Sequence, residues 1–215
     1  MRAICVPVLR FTFPHQDALE KRLERIDAFA GLVATSPRAV RALGAALENR
    51  PELRRAWQKK QAFAVGPKTA EALRGEGLHP KGQESGSAAA LGSVIAKKTP
   101  KHPLLFLSGS RRRDTLPAEL SAAGVPFIEQ EVYRTHTRTH LGLPDSAPGD
   151  WLVFFSPSGL EAIRQSPGID TAQYRLAAIG PTTAAALEQA GATVQAVAET
   201  PTPRALMAAI QRALT

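Results

Sequence analysis

A chain of 215 residues is long enough for one large α/β domain or two small ones, each with its own core. Its 27 Lys and Arg against 19 Asp and Glu give a formal charge of +8, which favours anionic partners; aromatics are only 6% and the basic residues are scattered, unlike the dense basic stripe with interleaved aromatics of a nucleic-acid module. No apolar run approaches the roughly 18 residues of a membrane span, the first residues carry no signal-peptide pattern, and Cys5 has no cysteine to pair with, so a cytoplasmic protein with a buried, inert thiol is expected.

In chain order, apolar runs of strand length alternate with stretches of helical period. The run Ile4–Leu9 comes first, then Gly31–Ala34 followed by "TSPRAV", and Ala62–Val65 followed by "VGPKTAEAL". A helical stretch, "SAAALGSVIAKK" (87–98), leads to the run Leu104–Leu107, a further helix, and the strand Phe127–Tyr133. The later runs are Trp151–Phe155, followed by "SPSGLEAI", Leu176–Ile179, followed by "GPTTAAAL", and Thr193–Ala198, followed by "TPRALMAAIQRA" (202–213). Several runs are apolar on both faces, as strands between two helix layers must be, so open parallel sheets with helices on both sides are predicted.

The chain says much of this twice. "LVATSPRAVRAL" (32–43) matches "LVFFSPSGLEAI" (152–163), "FAVGPKTAEALRGEGL" (63–78) matches "LAAIGPTTAAALEQAGA" (176–192), and residues 87–98 match 202–213. The first half then adds "LLFLSGSRRRDTLPAELSAAGV" and the strand "PFIEQEVYRT". The segment most like that strand is "RAICVPVLRF", at the start of the chain. The second domain is therefore predicted to be split, comprising 1–9 and 132–215, with an inserted domain at 10–131. The unit matching 104–124 would precede residue 1; either this domain works with one unit fewer, or the chain begins downstream of the usual start, the second being the leading expectation.

In both halves a Ser-Pro or Gly-Pro pair opens a helix at the carboxyl end of a strand. Ser is a favoured N-cap, and Pro at the first helical position gives up no hydrogen bond. Gly lets the backbone come close to whatever sits there. Each helix start offers free N–H groups and a partial positive charge, at the edge where open α/β sheets bind ligands. One such turn is ordinary capping. Four of them, duplicated and accompanied by Arg38, Lys68 and Arg111 to Arg113, predict a cleft for a small polyanion. "RTHTRTH" (134–140) reads as an extended linker rather than a metal-binding helix face. A nucleotide-binding phosphate loop, a dinucleotide fingerprint and a hydrolase elbow are absent from the sequence. Asp114 and Glu119 read as structural helix acids, and no acid–base dyad is evident, which points to chemistry driven by positioning.

Taken together, "TSPRAV", "VGPKTA", "LLFLSGSRRRDTLPAELSAAGV", "EVYRT", "FFSPSGLEAI", "AAIGPTTAAAL" and "AETPTPRAL" resemble the uroporphyrinogen-III synthase family, in its animal-type branch, from Ile4 onward. The resemblance implies two flavodoxin-like or Rossmann-like α/β domains joined by a two-stranded β linker, here about Cys5–Leu9 with Val132–Thr137. It implies a lyase of haem biosynthesis that takes hydroxymethylbilane, a linear tetrapyrrole with eight carboxylates. The family's enzyme expels the terminal hydroxyl as water and closes the macrocycle with inversion of the last pyrrole, using neither metal nor organic cofactor. Substrate contacts are implied for Thr35, Ser36, Arg38, Lys68, Thr69, Ser108, Arg111, Ser156, Ser158, Arg175, Thr182 and Thr183, and a proton-donating role for Tyr133. A monomer with no nucleic-acid or membrane partner is expected. The competing readings are a non-catalytic polyanion-binding or regulatory protein on the same scaffold, and, on charge alone, nucleic-acid binding.

Overall fold

The computed structural model describes residues 3–98, 100–112 and 114–214. The chain divides into two compact units, one formed by Phe11–Thr135 and the other by Met1–Arg10 with His136–Thr215. Both divisions fall inside strands.

The continuous unit holds β1 (Leu9–Thr12, shared across the division), α1 (Gln16–Leu23), β2 (Gly31–Ala34), α2 (Pro37–Ala46), α3 (Pro51–Gln58), β3 (Gln61–Ala64), α4 (Pro67–Gly75), β4 (Pro80–Lys81), α5 (Ala88–Ala96), β5 (Leu104–Gly109), α6 (Thr115–Ala122) and β6 (Phe127–Thr137), whose last two residues cross the division. Its sheet runs β1-β6-β5-β2-β3-β4, and the β6-β5, β5-β2, β2-β3 and β3-β4 pairs are parallel. Counted from β2, the five parallel strands follow the doubly wound order 3-2-1-4-5, with the switch point between β2 and β5.

Strand alternation sorts the core into two layers. Leu32, Ala34, Ala62, Ala64, Leu105 and Leu107 point to one face, where Leu19, Leu23, Val40, Leu43, Trp57 and Leu73 of α1 to α4 cover them. Val33, Phe63, Leu104 and Phe106 point to the other, against Leu91 and Ile95 of α5 and Leu116 and Leu120 of α6. Each fully buried Leu, Ile, Val or Phe among these stabilises the fold by about 1.5–3 kcal/mol through burial.

The discontinuous unit carries β7 (Trp151–Phe154), α7 (Pro157–Arg164), β8 (Arg175–Ala178), α8 (Pro181–Gln189), β9 (Ala196–Val197) and α9 (Pro203–Arg212). Its parallel sheet runs β7-β8-β9. Phe154, Leu176 and Ala178 pack with Ile163 of α7 and Leu187 of α8, joined by Val6, Val8 and Leu141. Ala177, Ala196 and Ala198 pack on Leu206 and Ile210 of α9. No helix among the described residues is long and apolar enough to cross a membrane.

Two expectations need correction. The first strand lies at Leu9–Thr12, not Ile4–Leu9 or Cys5–Leu9, and residues 3–8 are irregular. Pro7 has no N–H to give to a ladder, so pairing starts beyond it. Cys5, in that irregular stretch, is exposed rather than buried.

Candidate functional site

The carboxyl ends of the parallel strands of the continuous unit carry most of the expected residues. β2 ends into Thr35 and Ser36, both half-buried. Ser36 caps α2 by accepting the Arg38 N–H at 3.1 Å. β3 ends into Gly66, which caps α4 with φ 79° and no side chain, so no side-chain oxygen occupies the first-turn amides. Lys68, in that turn, is exposed.

β5 and β6 add the rest. The ladder pairs Ser108 with Glu131 and Gly109 with Tyr133, so Val132 is the extra residue of a bulge. Regular alternation would send residues 132 and 133 to opposite faces. Here both join the same core layer, Val132 buried and Tyr133 packed at its margin. The Tyr133 ring meets Phe11 of β1 edge-on, with centroids 6.4 Å apart. Over the Phe11 ring lies the Arg38 guanidinium, 3.7 Å from its centroid. Arg38 and Tyr133 are thus held one aromatic ring apart, beside the switch point.

The discontinuous unit repeats the helix starts with different capping. Ser156, at the N-cap of α7, makes no side-chain cap bond; its Oγ pairs with Ser158 Oγ at 2.6 Å. Gly180 heads α8 without a side chain, and Thr182 beside it is exposed. At the third strand end Thr202 caps α9, accepting the Ala205 N–H at 3.3 Å.

Other expected residues stand apart. Thr69 and Thr183 are buried, at 3% and 4% exposure, so neither side chain is open to a ligand. Ser108 is buried at 2% and donates to Gln130 O, which turns it into the sheet. Arg175 opens β8, paired with Trp151, at the opposite end of the sheet from Ser156 and Thr182, and its guanidinium lies 5.9 Å from the Trp151 ring. Arg111 is exposed just after β5. Arg112 is committed to Glu129, with one bond of 2.9 Å, and to Asp114. Arg113 lies outside the described residues.

The Arg112 bonds have an electrostatic signature. Hydrogen bonds that Arg112 donates to Glu129 and then to Asp114 push its pKa up. Burial pushes the Glu129 carboxyl up, but the hydrogen bonds it accepts, those from Arg112 first, outweigh it and hold the group below the usual carboxylate range. Much of the formal positive charge is spent similarly: Arg54 binds Glu76 and Gly44 O, Lys60 binds Phe29 O, and Arg50 binds Glu20 and Glu24. Among the described residues no group of three His, Cys, Asp or Glu side chains could hold a metal ion.

The sequence reading missed Phe11 and Gly109. Phe11 is one of many apolar residues in its segment, and nothing local links it to Arg38. The small residue at the end of β5 was the available signal, but its meaning depends on the β6 register.

The family model for uroporphyrinogen-III synthase HemD matches residues 1–208. The chain belongs to the uroporphyrinogen-III synthase family. Two curated members agree. The Schizosaccharomyces pombe uroporphyrinogen-III synthase is 30% identical over 217 residues, covering 95% of this chain and 84% of that protein. The Saccharomyces cerevisiae uroporphyrinogen-III synthase is 30% identical over 237 residues, covering 97% and 86%. The fold is likewise similar to the crystal structure of uroporphyrinogen-III synthetase from Helicobacter pylori, with a TM-score of 0.66 at 22% identity over 97% of this chain and 91% of that one. The α/β architecture with parallel sheets is therefore one this chain shares with that structure.

Proposed function

We propose that the synthase binds hydroxymethylbilane through the strand-end helix starts and cyclises it to uroporphyrinogen III, with Tyr133 as proton donor. Carboxylates of the substrate are taken by first-turn amides at Gly66 and Gly180, by the hydroxyls of Thr35, Ser36, Ser156, Ser158 and Thr182, and by the cations Arg38, Lys68 and Arg111. The Tyr133 phenol gives its proton to the terminal hydroxyl as the C–O bond breaks, so that water leaves. The freed methylene carbon then bonds to the substituted carbon of the last pyrrole to give a spiro intermediate. That carbon's bond to its original methylene bridge breaks, the released methylene bonds to the ring's unsubstituted α carbon, and the proton lost from that carbon replaces the one Tyr133 gave. Left alone the bilane closes without inversion, so the protein's contribution is to hold both ends in the geometry that favours attack at the substituted carbon.

The observation that carries the site assignment is the Arg38–Phe11–Tyr133 stack, which brings a carboxylate-binding cation and a phenol together at the strand ends. The absence of a dyad in the sequence fits a reaction that needs one proton donor and much positioning.

The test is incubation of this chain with fresh hydroxymethylbilane, then oxidation and separation of porphyrin isomers I and III. Isomer III above the enzyme-free blank is expected. Binding of the bilane with isomer I alone would overturn the catalytic reading in favour of a non-catalytic polyanion-binding protein.

A further inference from the structure

We propose that Gly109 is the positioning residue for the Tyr133 phenol, with Phe11 closing its seat. This rests on the reading of Tyr133 as proton donor. A Cβ placed on Gly109 would fall 2.6 Å from both Cε atoms of Tyr133 and closer still to Cζ. Those are the atoms at the hydroxyl-bearing end of the ring, so the phenol tip lies directly on the bare Cα. Any side chain at 109 must lift it.

The seat is built from independent constraints. The bulge at Val132 aims Tyr133 toward β5. Ser110 ties down the strand on either side: its N–H donates to Tyr133 O at 3.0 Å, and its Oγ accepts the Thr135 N–H at 3.1 Å. The Phe11 edge contact restrains the ring from β1, while the Phe11 face holds the Arg38 guanidinium. The backbone here is fixed and the ring rotates about only two torsions. Removing Cβ at 109 therefore sets the height of the hydroxyl, and Phe11 sets its distance from the cation. Gly109 is not among the glycines with positive φ, so the backbone itself does not call for glycine here. The ring does.

The prediction separates positioning from general damage. Tyr133→Phe is expected to lower kcat about 100-fold, as loss of a positioned acid does. Gly109→Ala should lower kcat by a comparable factor with KM little changed, and reduce the isomer III fraction. In the Tyr133→Phe background, Gly109→Ala should add less than about a twofold loss, because its effect passes through the phenol. An activity-independent readout is 19F NMR of chain carrying 3-fluorotyrosine, in which Tyr133 and Tyr174 are the two tyrosines. Gly109→Ala should move the Tyr133 resonance and leave that of Tyr174 in place.

If Tyr133→Phe is impaired while Gly109→Ala turns over normally with an unmoved resonance, the positioning role is overturned and the acid role stands. Independent, multiplying losses in the double variant overturn it as well. Full turnover to isomer III by Tyr133→Phe overturns the acid role and the positioning role with it. Should Gly109→Ala fail to fold, adding Tyr133→Ala removes the ring and should restore a chain as stable as Tyr133→Ala alone. If it does not, something other than the ring requires glycine, and the proposal falls.

Discussion

Gly66 and Gly180 occupy the same place in the two copies of the helix start, yet only one of them is conformationally compelled. Gly66 has φ 79°, in the left-handed region, whereas Gly180 is extended at φ 173°. At neither would a Cβ meet an atom within 4 Å. Gly66→Ala should cost about 1–2 kcal/mol of stability from backbone strain alone. Gly180→Ala should stay within about 0.5 kcal/mol of the parent. Denaturant unfolding measures both. If substrate carboxylate approaches the α8 start closely, Gly180→Ala will raise KM while leaving the unfolding curve unmoved.

Arg38 and Lys68 should act in binding rather than in the chemical step. Replacing either with Ala is expected to raise KM about tenfold, equivalent to ~1.4 kcal/mol, with kcat nearly unchanged because substrate and transition state carry the same carboxylates. For Arg38, Lys is a poor substitute, since an ammonium lacks the flat guanidinium face that lies on Phe11. Steady-state kinetics at fixed ionic strength decide the matter. A pure kcat loss would contradict a binding role.

The Arg112–Glu129 pair should shape the acid limb of stability. The folded state holds the Glu129 carboxyl below its ordinary value of 4.5. Its contribution is therefore present at neutral pH and is lost as pH falls below about 4.5 through the folded-state pKa. Glu129→Gln should lower stability at pH 7, and the difference from the parent should shrink as pH drops below that point. Thermal unfolding across pH 3–7 checks this. A constant difference across the range would mean that the carboxylate charge plays no part.

Trp57 joins α3 to the end of α1. It is fully buried, and its Nε1–H donates to Leu23 O at 2.9 Å. Trp57→Phe keeps a ring but leaves that carbonyl, at the last turn of α1, without this donor. A loss of about 1–3 kcal/mol is expected, read from urea midpoints. A change under about 0.5 kcal/mol would show that solvent replaces the bond.

The strands between helix layers were legible because burial on both faces writes itself as an unbroken apolar run, as in "LLFL". Their helix starts were legible because Pro tolerates only the first turn. Two helices went unread. α1 buries just Leu19 and Leu23, four apart in a charged segment, and half of α3 is Arg, Gln and Glu around the buried Trp57. The first strand was misplaced because composition favoured Ile4–Leu9, while pairing beyond Pro7 decided the outcome. In the site, hydroxyl and glycine caps could be read locally. What becomes of a charge could not. Arg54 finds Glu76, and Arg112 finds Glu129, across distances in sequence that no local pattern encodes. The same limit hid Phe11 and Gly109, whose roles exist only once β1, β5 and β6 lie in register.

A ribosome does not deliver the two units on equal terms. Phe11–Thr135 is one uninterrupted stretch and can close its core as soon as it has emerged. The other unit needs residues 1–10, made before that stretch, together with residues 136–215, made after it. At about 5–20 residues per second, Val6 and Val8 must wait several seconds for Leu141, Ile163 and Leu187, the side chains that eventually shelter them. During that interval the nascent segment "AICVPV" is open to any chaperone or neighbouring chain. Yield at high expression should therefore depend on the translation rate over residues 136–215, even for variants whose finished fold is unchanged.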